Sequence, residues 1–284
     1  MQLTKHTVHI GLERPLKVLH VSDTHIAYAD ERDDERKRAL AASRQISFGN
    51  KGDSDLNTFL DQIAYANEHC DLLVHTGDLC DFVSHLNLEK ARAALDTAQN
   101  AFMIAGNHEF SQYVGEAWED TAYKMTGYQQ VRIGLGFDLL FRSQIVGGVN
   151  FVGVDNGYYN TEPWQLERLK MEAAKGLPIV LCMHTPIYEP ALYDFTMQRL
   201  DNLCSYLMGC SEELLLPYSE YRAYQQRPTP DTMRFVDYIQ HQPLIKAVLA
   251  GHLHVPFVST LPGGAVQFVA GAGYNGEAAE ITFE

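Results

Sequence analysis

The sequence predicts an α/β fold in which two mixed β-sheets stack between helices. Three observations lead there. Apolar runs of strand length alternate with helix-like stretches through the first half of the chain. The second half is richer in strands, with period-two alternation punctuated by glycine. Five short apolar runs each end in Asp, Asn or His, as expected where the carboxyl ends of strands converge on one ligand-binding crevice. At 284 residues, 46% of them hydrophobic, the chain can bury a sizeable core, as one large domain or as a domain with an insertion.

In chain order, residues 7–10 and 16–21 read as strands around a turn at 11–15. Residues 27–52 are polar and charge-mixed, which fits a solvated loop or an exposed helix face. Ser54 is placed to cap a helix whose apolar positions Leu56, Phe59, Leu60, Ile63 and Ala64 keep a spacing of three and four. That helix hands over to a strand ending at Asp78. Ser84 caps a second helix over 86–99, and another strand then runs into Asn107. Residues 129–155 switch to period two, as antiparallel strands would. Residues 161–175 read as a helix stopped by Gly176, and Asp231 as the cap of a helix reaching His241. The last strands fall at 246–250, 255–260, 265–270 and 279–283, with Gly263-Gly264 at a hairpin turn. Residues 187–230 are irregular, too long for an ordinary connection and too apolar for a disordered linker.

Composition narrows the partners. A net charge of -14 argues against a general nucleic-acid binder, which would carry a basic face. The five cysteines are an odd count without Cys-x-x-Cys spacing, which fits reduced thiols in a cytoplasmic protein. The first residues have no apolar core of a signal peptide, and no run approaches membrane-spanning length. The expectation is a soluble cytoplasmic chain with no membrane partner.

The strand ends carry the chemistry. The run 18–21 leads into Asp23-Thr24-His25, 72–76 into Gly77-Asp78, and 101–105 into Gly106-Asn107-His108-Glu109. The run 178–183 leads into His184, and 247–250 into Gly251-His252-Leu253-His254. Mixed nitrogen and oxygen donors of this kind suit Mn, Fe and Zn. In this order, the five motifs resemble the calcineurin-like metallophosphoesterases, over residues 23–254. The resemblance implies a four-layer αββα sandwich of two mixed β-sheets flanked by helices. It also implies two divalent or trivalent metal ions (Mn, Fe or Zn), the first held by Asp23, His25, Asp78 and His254 and the second by Asp78, Asn107, His184 and His252. Asp78 suits the bridge because a carboxylate offers two oxygens and this one stands at a sharp, Gly-preceded strand end. A water bridging two such ions loses its proton near neutral pH and attacks phosphorus in line. By the same resemblance His108 stabilises or protonates the leaving oxygen, with Asp81 as its acidic partner.

The expected activity is hydrolysis of a phosphate mono- or diester of a small molecule, nucleotide-like esters among them. The alternatives are a nuclease, a phosphoprotein phosphatase and a non-catalytic scaffold of the same fold. A nuclease would be expected to show a basic strand-tracking groove, against the acidic balance here. Phosphoprotein phosphatases of the resembled superfamily extend Gly-Asp to Gly-Asp-x-x-Asp-Arg-Gly; in this chain Phe82 stands at the Arg position. A scaffold loses ligands or the His beside the Asn, and every such position is filled. Two further expectations attach to this reading. An arginine within 27–52 reaches back to a substrate phosphate, and 187–230, with six tyrosines, is a lid inserted into a single domain spanning 1–284. The competing reading of that segment is a structural insertion packed on outer helices or on another subunit. His20 and His75, inside strands, are expected to be structural, and Cys80 and Cys182 small buried hydrophobes. Asn156-Gly157-Tyr158-Tyr159 reads equally as site lining or as a plain loop. Oligomeric state is left open.

Overall fold

The computed structural model describes residues 1–49, 55–114, 120–200 and 203–284. Its first sheet contains β1 (Gln2–Val8), β2 (Leu16–Val21), β3 (Leu72–His75), β4 (Ala101–Met103) and the last strand, β11 (Glu277–Phe283), in the spatial order β1-β11-β2-β3-β4. The strands β2, β3 and β4 run parallel, so their carboxyl ends share one edge. The second sheet contains β5 (Phe141–Val146), β6 (Val149–Val154), β7 (Ile179–Cys182), β8 (Ile245–Ala250), β9 (Phe257–Thr260) and β10 (Val266–Val269), ordered β5-β6-β7-β8-β10-β9. Here β6, β7, β8 and β10 are parallel, while β5 and β9 pair antiparallel at the edges.

Side-chain alternation sorts the residues into layers. Leu19 and Val21 of β2, Leu73 of β3 and Met103 of β4 face α2 (Asp55–His69), α3 (His85–Leu95) and α4 (Thr121–Leu135). Their neighbours Val18, Leu72, Val74 and Phe102 point the other way and meet Phe151, Val180 and Leu249 of the second sheet. On that sheet's outer face, Val152, Leu181 and Val248 pack against Leu169 of α5 (Pro163–Ala173) and Phe235 and Ile239 of α9 (Pro230–His241). The result is the expected αββα sandwich. Residues 187–229 lie outside these layers. They form α6 (Pro190–Arg199), α7 (Glu212–Leu215) and α8 (Glu220–Gln226) around their own apolar cluster, which rests on Leu253, Phe257 and Val269.

Several local expectations are corrected. The first strand is β1, earlier than residues 7–10, because it pairs along its whole length with β11. The polar stretch 27–52 contains a helix, α1 (Glu35–Phe48), capped by Asp34 accepting from Lys37 N, and it buries Lys37, Ala41 and Phe48. Ser54, the expected cap of α2, lies outside the described residues; the helix buries Phe59, Gln62, Ile63 and Ala66 and leaves Ala64 exposed. Ser84 caps α3 as expected, but that helix stops at Leu95. The largest miss is α4. Val131, Ile133 and Leu135 alternate like a strand, yet Tyr128, Val131 and Leu135 are the buried face of a helix capped by Asp120. The antiparallel hairpin β5–β6 begins only at Phe141. Thr229, rather than Asp231, caps α9. No helix among the described residues is long and apolar enough to cross a membrane.

Candidate metal centre

The five strand-end motifs meet at one place. Asp23, His25, Asp78 and His254 bring one donor atom each within 4.8 Å of one another, and so do Asp78, His184 and His252. Asp78 belongs to both groups. Its Oδ2 lies 3.2 Å from His184 Nε2 and 3.8 Å from His25 Nε2, while its Oδ1 accepts from the backbone N–H of His108 at 2.9 Å. Asn107 Oδ1 stands 3.2 Å from His184 Nε2. His254 Nε2 is 3.0 Å from His25 Nε2 and 3.4 Å from Asp23 Oδ1, and His252 Nδ1 is 3.2 Å from His184 Nε2. Every residue expected as a ligand is therefore present in the cluster.

These spacings fit metal ions. Donors about 2.0–2.1 Å from an ion stand about 3.0–3.4 Å from their neighbours in tetrahedral or octahedral geometry. The tautomers fit as well, because a ligating imidazole normally anchors its other nitrogen. His25 Nδ1–H donates to Asp81 Oδ1 at 2.8 Å, and His184 Nδ1–H donates to the carbonyl of Thr76 at 2.8 Å, which turns both Nε2 atoms into the cluster. His252 anchors its Nε2 on the Tyr159 hydroxyl at 2.8 Å and turns Nδ1 inward.

The backbone carries strain where these donors sit. Among the described residues, non-glycine φ is positive at Asp23, His25, Asp78, His252 and His254, and elsewhere only at Tyr159 and Tyr206. Such conformations cost about 1–3 kcal/mol each and persist where the surroundings over-determine them. Glu109 supplies part of that determination. Its buried carboxylate accepts from the N–H groups of Asp78 (2.8 Å), Cys80 (2.9 Å) and Gly106 (2.6 Å), stapling two motif loops together. Glycine is required at the closest approach: with φ 99°, Gly77 lies against the Gly106 nitrogen, and a Cβ on Gly106 would collide with the Asp78 carboxylate. Asn156 does the same for the second sheet, accepting from His184 N at 2.9 Å and from Thr185 N at 3.0 Å.

His108 sits at the start of a short 3₁₀ turn (His108–Phe110) and donates from Nδ1 to the Asp81 carbonyl at 2.6 Å. Burial alone would lower its imidazole, but the Asp78 charge and the hydrogen bond to Asp81 outweigh it and raise the group to about 10. Asp81 is also gripped by Arg44 of α1, from Nε at 2.6 Å and from the terminal nitrogen at 2.9 Å. An arginine within 27–52 thus reaches the site, but the contact seen is with the Asp81 carboxylate rather than with a substrate phosphate. Phe48, from the same helix, stacks on His25 with ring centroids 4.5 Å apart. The facing pair His184 and His252 divides unequally. Burial opposes a charge on both, yet Asp78 raises His184 to about 9, whereas burial and the His184 charge lower His252 to about 3.

The other residues noted in the sequence have plain roles. Burial lowers both His75 and His20 to about 3. His75 bonds Thr24 Oγ1 and Gly77 N. His20 bonds Thr76 Oγ1 through Nε2, and its Nδ1 has no partner among the described residues. All five cysteines are free, and Cys80 and Cys182 are buried with thiols pushed up by burial. Asn156 and Tyr159 are site residues rather than plain loop. Phe48 and the anchoring role of Glu109 were not singled out from the sequence; Arg44 was signalled only as part of the charge-mixed stretch and Tyr206 only as one of six tyrosines. A cavity of about 800 Å³ opens beyond the same loop, lined by Lys124, Asp155, Tyr158, Thr161, Trp164 and Arg227 among others, and none of the candidate ligands lines it.

A four-layer α/β sandwich with clustered histidines and carboxylates at its strand ends defines a metal-dependent phosphoester hydrolase. The sequence model of the calcineurin-like phosphoesterases matches residues 16–256, and the chain belongs to that family. No curated protein matches it in sequence. Among solved structures, a dimetal phosphatase from Danio rerio is similar at 13% identity and TM-score 0.53, covering 92% of this chain and 88% of the other. A purple acid phosphatase, PPD1, from yellow lupin (Lupinus luteus) seeds is similar at 15% identity and TM-score 0.53, covering 94% of this chain but 45% of its own length. These two likenesses concern the fold.

Proposed function

We propose that the chain hydrolyses a phosphate mono- or diester of a small molecule at a dinuclear centre, with Asp23, His25, Asp78 and His254 holding one ion and Asp78, Asn107, His184 and His252 the other. The observation that carries this reading is the single Asp78 carboxylate common to two donor groups. When bound, two divalent ions neutralise charge on the phosphoryl oxygens and bring a water to its conjugate base near neutral pH. Asp81 fixes the ring of His108 through Nδ1, and His108 Nε2 has no partner among the described residues. In the reaction the P–O bond to the leaving group breaks as water oxygen bonds to phosphorus, and His108 hands its proton to the leaving oxygen. General acid assistance of this kind is worth about 10²–10⁴-fold. Arg44, on Asp81, keeps that carboxylate ionised and in place. Loading purified protein with Mn and assaying a panel of phosphate esters tests the reading. Two metals per chain and turnover that is lost on chelation are expected; fewer than one metal per chain, or turnover of none of the esters, would overturn it.

The insertion at 187–230 is read as a cover over this centre. In support, its apolar cluster rests on Leu253, between the two histidines of the last motif, and its Tyr206 ring lies 5.9 Å from His252. An aromatic face there can stack on a base or aryl group, worth about 1–3 kcal/mol for a nucleobase. Tyr206→Ala should then slow a nucleoside monophosphate more than 4-nitrophenyl phosphate. Equal losses on both would remove the cover from the account.

A further inference from the structure

Tyr206 differs from every other residue of the insertion in its backbone. Its φ of 56° puts a bulky side chain in the left-handed region, a conformation shared among the described non-glycine residues only with five candidate ligands and Tyr159. The surroundings hold it there. Tyr218 donates its hydroxyl proton to Ser205 Oγ at 2.6 Å and accepts from Ser205 N at 2.9 Å. Met208 pairs with the insertion's root, donating to Pro186 O at 2.9 Å and accepting from Tyr188 N at 2.8 Å. Strain held in this way clusters at active sites and ligand clamps. What it achieves is to stand the Tyr206 ring edge-on to His252, at 72° between planes, with the Arg222 guanidinium 5.0 Å above the ring centroid.

Arg222 is half-buried and has no carboxylate within ion-pair distance among the described residues. Nearby, Arg227 pairs with Glu212 and Arg234 with Asp231, as expected in a chain with 36 acidic and 22 basic residues. The side-chain hydrogen bond Arg222 makes runs from one terminal nitrogen to Gln225 Oε1, at 2.7 Å. A guanidinium has five N–H donors in a planar fork that matches a carboxylate or phosphate. We propose that Arg222, seated on Tyr206, is a specificity-determining subsite for an anionic group of the substrate other than the phosphoryl being cleaved. The preferred substrate is then a phosphate ester carrying a second carboxylate or phosphate. This inference rests on the dinuclear reading of the neighbouring centre.

Phosphonates provide non-hydrolysable rulers. Mn-loaded wild-type protein is titrated calorimetrically with phosphonocarboxylates of one to four methylenes, and with alkylphosphonates of matching length. Bisphosphonates of the same lengths tell which second anion is preferred. One spacer length should bind about tenfold or more tighter than its alkylphosphonate, the scale of a charge-assisted hydrogen bond. Arg222→Gln should abolish that advantage, and Arg222→Lys should keep part of it. No advantage at any length, or an equal weakening of both ligand series by Arg222→Gln, would overturn the subsite. If alkylphosphonates fail to bind and wild-type protein fails to turn over 4-nitrophenyl phosphate, the dinuclear reading itself falls, and the subsite with it.

Discussion

The two halves of the centre are anchored by different chemistry. On the side of α1, the far nitrogen of His25 rests on the Asp81 carboxylate, and the ring of His108 on the Asp81 carbonyl with that carboxylate 3.3 Å away; Arg44 grips the carboxylate with two hydrogen bonds. Charge holds that half together. On the side of the insertion, His184 rests on a backbone carbonyl, His252 on a tyrosine hydroxyl, and the His184 main chain on the Asn156 amide. Neutral groups hold the second half. A carboxylate partner raises the basicity of its histidine and stabilises positive charge beside it, while a hydroxyl or carbonyl mainly sets orientation. The difference teaches where damage should spread: a break at Asp81 should reach a candidate ligand and the candidate acid together, while a break at Tyr159 should stay local.

The largest effect should come from the residue that belongs to both halves. Asp78→Asn is expected to weaken both metals together and to lower turnover by more than about 100-fold, beyond the usual range for outer partners. Elemental analysis checks it, and loss of one metal with the other retained would break the shared role. Next comes His108→Gln, which should slow hydrolysis by about 10²–10⁴-fold with metal content near normal. The loss should be greatest for esters with poor leaving groups; if the metals leave instead, His108 is a ligand.

Asp81→Asn ranks third and separates the two walls most cleanly. It replaces a buried carboxylate that the Arg44, His25 and His108 hydrogen bonds hold well below the usual range despite its burial. A loss of about 10–100-fold in metal affinity or turnover is expected, with the His25 half losing its ion first. Metal titration followed by activity resolves the order of loss. Simultaneous loss from both halves would mean that the two walls are not independent.

The walls also differed in how far they could be read from the sequence. All seven candidate ligands and His108 were legible because each lies within a few residues of a strand-like apolar run, and strand ends in such a sheet converge. The layer order followed from strands alternating with helices before a strand-rich second half, together with the family resemblance. Arg44 and Phe48 reach the centre because α1 packs across it, a placement set by tertiary contacts that leave no local spacing. Tyr159 was legible only as one of two equal readings of its loop and Tyr206 only as one of six tyrosines, because their places are set by tertiary contacts and by a positive φ that tyrosine gives no hint of adopting. The helix α4 was misread because Val131, Ile133 and Leu135 satisfy a strand pattern as well as part of a helical one.

The smallest effect should be at Tyr159. Its hydroxyl lies 2.8 Å from His252 Nε2 in a neutral hydrogen bond, and its ring packs edge-on at 5.4 Å between centroids. Tyr159→Phe removes the first and keeps the second. A neutral hydrogen bond contributes about 0.5–1.5 kcal/mol net, which is about two- to tenfold in an equilibrium constant. The metal-binding step assigned to Asn107, His184 and His252 should loosen by that factor, and the step assigned to Asp23, His25 and His254 should stay unchanged. Calorimetric titration with Mn reads both steps in one experiment. A loss as large as that of Asp81→Asn would show that the insertion wall is held as tightly as the charged one, and the contrast between neutral and charged anchoring would have to be abandoned.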